Sequence, residues 1–107
     1  MKLDQARRFA LSLPEAAELP HHEMTSFRVR GKIFATATPD DQFLHVFVDE
    51  TEREAFIKSE PEACEHLYWG RKIMGVRVNL ARVKVGMVKE MLRSAWSIKA
   101  PRALREE

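Results

Sequence analysis

Basic side chains flank two positions at which the sequence predicts a tight turn, one at Gly31 and one at Gly70. The six residues are Arg28, Arg30, Lys32, Arg71, Lys72 and Arg77. Lysine and arginine neutralise phosphates and release their counterions, and glycine lets the backbone approach a ligand closely. The pattern therefore predicts phosphate-backbone contacts with little base specificity. Because turns attract charged residues in any protein, each residue taken singly is explained equally well as solvated surface.

The charge of the chain is distributed unevenly. Residues 1–70 contain 8 Lys or Arg against 13 Asp or Glu, a net charge of −5, whereas residues 71–107 contain 10 against 3, a net charge of +7. Glu90 is the only acidic residue between Arg71 and Arg105. A basic segment of this kind is typical of proteins that bind an anionic partner, most often nucleic acid, although it also keeps a small protein in solution.

Residues that could carry catalysis or bind a metal ion lack the partners that such chemistry requires. The single cysteine, Cys64, excludes an intrachain disulfide and is expected to be a small buried apolar residue. No serine lies in a nucleophile-elbow motif, and the glycines form no phosphate-binding loop. His21, His22 and Glu23 could bind a transition metal, but adjacent loop histidines are more often exposed to solvent. We expect a protein that is not an enzyme and has no cofactor or metal site.

Two aromatic residues, Tyr68 and Trp69, directly precede the second basic turn. They could stack on a base or line a ligand pocket. Strand aromatics lie more often in the core, and this is the interpretation that the sequence favours.

The chain of 107 residues is long enough for one packed core, and its 45% hydrophobic and 32% charged composition is that of a folded protein. Apolar residues at helical spacing predict a first helix over 2–13, which Pro14 ends, and a last helix from residue 85 that Pro101 ends. A shorter helix is predicted to begin after Asp49 and to be ended by Pro61. We expect a single domain over 1–101 and a short loose tail over 102–107.

Period-two alternation predicts a three-strand meander within 23–48 and two further strands over 66–69 and 75–80. Residues 15–20 are predicted to be a polar connection. The order α-β-β-β-α-β-β-α indicates an α+β two-layer sandwich, with a five-stranded, mainly antiparallel sheet and the N- and C-terminal helices on one face.

The relative position of the two basic turns depends on strand direction. If all five predicted strands alternate, the turns lie at opposite ends of the sheet, and the open face bearing Arg28, Arg30 and Arg77 is the better candidate. The turns meet at one end only if the middle helix returns the chain so that the third and fourth predicted strands run parallel. The sequence leaves both arrangements open.

Several motifs resemble those of the MmcQ/YjbR-like family, whose small domains have a frataxin (CyaY)-like fold. The matching segments are residues 10–15, 27–35, 48–49, 52–55, 76–80, 95–96 and 100–101. The chain departs from many relatives at Gly75, where they carry an aromatic residue, and at Ala95 and Trp96, where they carry Ser-Tyr. The resemblance implies the fold, a DNA-binding role with two β-hairpins as wings, and no catalytic residues.

A frataxin-like fold also raises the hypothesis of iron binding. Frataxins use an acidic ridge on the first helix and first strand, but here the first helix carries only Asp4, together with Lys2, Arg7 and Arg8. The carboxylate cluster that hard cations require is therefore missing.

The function expected from the sequence is weak DNA binding in the cytoplasm, without a membrane partner. No apolar run approaches the roughly 20 residues that span a bilayer, and the N-terminus lacks the apolar centre of a signal peptide. The alternative is a protein-interaction module that uses the exposed sheet face or an edge strand to bind a partner or a second copy of itself.

Overall fold

Six strands and four helices build residues 1–106, the part of the chain that this computed structural model describes. The elements are α1 (Leu3–Ser12), β1 (Ala16–His21), β2 (Met24–Val29), β3 (Lys32–Ala37), β4 (Phe43–Val46), α2 (Glu50–Ser59), β5 (Cys64–Trp69), β6 (Lys72–Asn79), α3 (Val85–Lys99) and α4 (Arg102–Arg105). The predicted α+β class is confirmed. The sheet has six strands rather than five, because the segment predicted to be a polar connection forms β1.

The additional strand, β1, lies in a segment whose proline, Pro20, and polar residues are typical of a loop. It pairs with β2 along its whole length and forms an edge of the sheet. Proline is tolerated in an edge strand, because one side of that strand donates to no neighbour. Glu18 fixes the strand further, since its carboxylate accepts hydrogen bonds from Arg7 Nε at 2.9 Å and from Thr25 Oγ1 at 2.8 Å.

The strand order is β1-β2-β3-β4-β6-β5, and every neighbouring pair is antiparallel. Because β6 is antiparallel to both β4 and β5, those two strands run in the same direction. The helix α2 returns the chain between them. This is the arrangement in which the two basic turns lie at one end of the sheet.

The helices α1, α2 and α3 cover one face of the sheet. The helix α3 contacts β2, β3 and β4, while α2 contacts β5 and β6. The core between the layers includes Phe27, Leu44 and Val76 from the sheet, with Met91 and Leu92 from α3. The predicted placement of the first and last long helices is confirmed, and α2 joins them on that face. The opposite face, which we call the open face, is not covered by a helix in the described chain.

A β-bulge in β3 changes which side chains reach the core. Phe27 pairs with Ala35, but Arg28 pairs with Ile33, so Phe34 is an extra residue on β3. Phe34 is fully buried, and Ile33 shares the open face with Arg28. Simple alternation predicts Ile33 on the same face as Ala35. This prediction is wrong, because the extra residue Phe34 moves Ile33 to the opposite face of the sheet from Ala35.

The C-terminal part of the chain closes the domain. Trp96 Nε1 donates a hydrogen bond to the carbonyl oxygen of Pro14 at 3.0 Å, which ties α3 to the connection between α1 and β1. The tail predicted over 102–107 contains the short helix α4, whose Leu104 is buried, and Glu107 lies outside the described residues. Among residues 1–106, no helix has the length and apolarity needed to cross a membrane.

The close approach of β6 to β4 gives a first prediction. A Cβ atom at Gly75 would overlap with the carbonyl oxygen of Val46, so Gly75→Ala is expected to lower the free energy of unfolding by about 3 kcal/mol. At Gly86 in α3 the space that a Cβ would occupy is open, and Gly86→Ala is expected to be stabilising by up to about 1 kcal/mol. Urea denaturation of both variants measures the difference, and equal effects would contradict the assigned packing.

Candidate nucleic-acid interface

Two short hairpin loops carry the basic residues singled out from the sequence. Val29 pairs with Lys32 across the loop Arg30–Gly31, and Trp69 pairs with Lys72 across the loop that contains Gly70. Gly31 has φ +80° and Gly70 has φ +63°. Two-residue hairpin loops need such left-handed backbone, which glycine adopts without a steric penalty.

Both loops lie at the same end of the sheet, because β2 and β5 run in the same direction. In the strand order, the centre of the first loop is separated from the centre of the second by three strand spacings. At the usual spacing between strands, this corresponds to about 14 Å. The structure therefore brings the two basic turns together at one end of the sheet. The sequence alone leaves this arrangement undecided.

Three of the six predicted basic residues, Arg28, Arg30 and Arg77, are held by neighbouring side chains. Arg30 forms a two-pronged ion pair with Glu15, with Nε and Nη2 donating at 2.7 and 2.9 Å. The same contact lowers the pKa of the Glu15 carboxyl. Arg28 Nε donates to Ser26 Oγ at 2.9 Å. The guanidinium groups of Arg28 and Arg30 are thus oriented by the strands beside the first turn.

Arg77 lies over the open face, and its guanidinium is engaged on several sides. Its carbon Cζ lies 3.8 Å from the centre of the Phe43 ring, and its Nε lies 3.3 Å from an oxygen of Glu65. Its Nη1 lies 3.2 Å from His45 Nε2. The charge of Arg77 is thus offset by Glu65 and its planar group is stacked, so Arg77 is expected to shape this face more than to bind phosphate.

The remaining predicted residues, Lys32, Arg71 and Lys72, are exposed at the two turns. Their side chains form no ion pair or hydrogen bond with any residue that the structure describes. These three cations are therefore available to an anionic ligand, and we call them the turn cations. Arg28 adds a fourth charge nearby, because no acidic residue within residues 1–106 pairs with it.

A shallow cavity of about 340 Å³ opens on the uncovered face of the sheet. Its lining is mainly apolar and aromatic, and it includes Met24, Ile33, Phe47, Leu67 and Trp69. Trp69 is 76% exposed and Tyr68 is 59% exposed. The preferred prediction that these two aromatic residues belong to the core is wrong, since they lie at the end of the edge strand β5 and line the cavity on the uncovered face.

Two polar side chains lie side by side in the lining of the cavity. Thr36 and His45 are directly opposite each other on β3 and β4. Thr36 is only 4% exposed, and its hydroxyl has no hydrogen-bond partner within residues 1–106. The Nε2 atom of His45 must accept from Arg77, because a guanidinium can only donate. Burial, and then the charge of Arg77, lower the pKa of His45, which is consistent with a neutral ring that carries its proton on Nδ1.

A ligand pocket lined by Tyr68 and Trp69 is the less favoured interpretation of the sequence, and a second signal for the cavity exists. The strand β4 and the residue after it carry aromatic or apolar side chains on both faces, at Phe43, Leu44 and Phe47. This pattern predicts a central strand, which is confirmed by the strand order. The cavity itself depends on bulges at the β2–β3 and β5–β6 pairings, and alternation alone does not reveal those bulges.

The residues considered for metal binding or catalysis do not form a cluster. No group of three or more His, Cys, Asp or Glu side chains within residues 1–106 is placed to hold a metal ion. The rings of His21 and His22 meet edge to face at 4.6 Å. Cys64 is buried as predicted, and burial raises the pKa of its thiol to about 11.

Comparison with known proteins identifies the family. The YjbR family model matches residues 11–98, which is more than half of the chain. The chain belongs to the YjbR family. No curated protein and no solved structure matches it, so the frataxin-like relationship that the resemblance implies stays a prediction. The YjbR match covers both basic turns and every strand.

The neutral state of His45 in this YjbR protein gives a second prediction. Because the folded-state pKa lies below the ordinary value of 6.5, the unfolded chain binds more protons as the pH falls through that range. Stability is therefore expected to decline between about pH 7 and about pH 5. His45→Gln should flatten this decline, whereas His22→Gln in an exposed turn should leave it intact. Thermal unfolding across this pH range provides the measurement, and an unchanged decline in His45→Gln would contradict the assignment.

Proposed function

We propose that this protein is a non-catalytic, cytoplasmic DNA-binding protein that contacts the phosphate backbone through its two basic hairpins. The observation that carries the proposal is the location of both turns at one end of the sheet. A single basic turn is common on any soluble protein. Two turns on one edge, each with a cation that has no acidic partner among the described residues, form a surface that can contact phosphates at two positions.

The spacing of the turns supports contact with both walls of a groove. The separation of about 14 Å is close to the width of the major groove of B-DNA, about 12 Å. The turn cations Lys32, Arg71 and Lys72 have long, exposed side chains, so they can reach the DNA phosphates on both sides of the groove. The helix α2 begins at this end of the sheet, after β4, but its first turn carries Glu50 and Glu52. An acidic helix start is unsuited to entering a groove, which favours binding without base readout.

The strength of such binding is limited by the small number of charges. Non-specific association through a few phosphate contacts has dissociation constants of about 10⁻⁴ to 10⁻⁶ M at physiological salt. Each phosphate contact adds about 0.9 to the slope of the logarithm of the affinity against the logarithm of the salt concentration. Steep salt dependence is thus the signature of this interface.

A variant without the turn cations gives the third prediction. Lys32→Ala/Arg71→Ala/Lys72→Ala is expected to weaken binding to a labelled mixed-sequence duplex and to reduce the salt slope by about 2 to 3. Fluorescence anisotropy between about 50 and 200 mM salt measures both quantities.

The matched control removes the same charge from the other end of the molecule. Lys2, Lys58 and Lys84 are exposed and lie near the end where β6 terminates, away from the turns. Lys2→Ala/Lys58→Ala/Lys84→Ala should retain most of the affinity. Equal losses in the two triple variants would indicate a general charge effect, and no binding at low salt would refute the proposal.

The alternative function, a protein-interaction module, is supported by apolar residues on the open face. Leu19 is 46% exposed there, on the same row of the sheet as Ser26 and Thr36. Association through such a surface would be insensitive to salt. Sedimentation of the protein alone at low and high salt tests the self-associating form of this function, because a dimer formed through the apolar surface should persist at both.

A further inference from the structure

The cavity on the open face has the features of a binding site that the turn cations alone do not explain. We propose that it receives an unpaired base of single-stranded nucleic acid while the neighbouring phosphates contact the basic turns. This inference rests on the proposed function and names the form of nucleic acid that the surface prefers. It assigns a role to Trp69, Thr36 and His45, which phosphate binding leaves unused.

The walls of the cavity suit a flat ring. Phe47 and Trp69 contribute aromatic surface, and Met24 and Met74 contribute flexible side chains that adapt to the shape of a ligand. The volume of about 340 Å³ lies at the lower end of the range for small-molecule sites. Stacking of a base on an aromatic side chain stabilises single-strand complexes and tolerates any sequence, because every base has a π-face.

The floor of the cavity provides a polar edge for the same ring. The hydroxyl of the buried residue Thr36 can donate or accept and has no partner within residues 1–106. The Thr36 hydroxyl is reached by solvent from the cavity, so a ligand that displaces this solvent must supply a hydrogen-bond partner in its place. His45 lines the cavity beside Thr36, and its Nδ1–H is also without a partner in the described chain. Two donors side by side match a base that presents carbonyl oxygens, such as thymine.

The charges around the cavity connect it to the basic turns. Trp69 is paired with Lys72 across the second hairpin, and Ile33 is paired with Arg28 beside the first. Both apolar members of these pairs line the cavity, so a cation stands on each side of it. A strand that places one base in the cavity thus brings its adjacent phosphates towards Lys72 and Arg28. Duplex DNA cannot do so without unpairing a base.

The test compares an oligothymidylate of about 12 nucleotides with a duplex of the same length. Single-strand binding is expected to be tighter and to quench the emission of Trp69, while Trp96, which is 6% exposed, provides an unaffected background. Trp69→Ala should abolish the quenching and weaken single-strand binding at least about fivefold. Ile98→Ala, which removes an exposed apolar side chain from α3, is the control and should change neither quantity.

A second variant tests the floor of the cavity without changing its size. Thr36→Val replaces the hydroxyl with a methyl group and keeps a β-branched residue in the strand. It is expected to weaken single-strand binding about three- to tenfold and to leave duplex binding and thermal stability unchanged. An unchanged single-strand affinity in both Thr36→Val and Trp69→Ala would overturn the inference.

The remaining outcomes separate this inference from the function on which it rests. Equal binding of duplex and single strand, without quenching, overturns the inference and leaves the proposed function standing. Binding of neither overturns both. Thymidine monophosphate is included as a free ligand of the same chemistry, and binding as tight as that of the oligonucleotide would overturn the inference, because the cavity would then serve a free nucleotide instead of a strand.

Discussion

The backbone of β6 passes unusually close to the end of β4, because residue 75 has no side chain to hold the two strands apart. The strand β6 pairs with β4 on one side and with β5 on the other, and Gly75 lies directly beyond the last β4 pair, Val46 with Val76. The strand order that results makes β4 and β5 run in the same direction, and both basic turns therefore project from one edge.

The cationic side chains of the molecule fall into two physical classes. Arg30 and Arg77 are fixed by carboxylates, and Arg77 is also stacked on Phe43. These two arginine side chains lose little conformational freedom when a ligand binds, but most of their charge is already neutralised. The turn cations have the opposite properties, since they are solvated, flexible and unneutralised by the described residues. A surface that combines rigid stacked groups with mobile charges can bind one part of a polyanion in a fixed position. The mobile charges then form ionic contacts with the neighbouring phosphates.

Much of the fold could be predicted from local patterns, since helices and strands follow their apolar periodicity wherever neither bulges nor edges intervene. The long helices end before Pro14 and Pro101 as expected, and Val76 and Val78 face the core. The strand β1 could not be predicted, because an exposed edge strand has no apolar face to reveal it. The side of the sheet on which Ile33 and Phe34 lie depends on a bulge that is set by pairing with β2, and no local pattern encodes that pairing.

The candidate site could be predicted only in part for the same reason. The six basic residues were identifiable because charge beside a glycine turn is a local feature, whereas their grouping depends on the path of α2 between distant strands. The exposure of Trp69 depends on the position of β5 at the edge of the sheet and on its pairing with β6. Partners such as Glu15 for Arg30 come from segments remote in the sequence, and only the folded chain reveals which charges they offset.

The hydrogen bond between Trp96 and Pro14 joins residues that are 82 positions apart. Since α3 also supplies Met91 and Leu92 to the core above β2 and β3, the first half of the chain has no complete apolar interior until α3 is present. During synthesis, the core face of the early hairpins therefore stays exposed until α3 has left the ribosome. The domain is consequently expected to fold as one unit after α3 has been synthesised, with contacts between distant segments setting the rate.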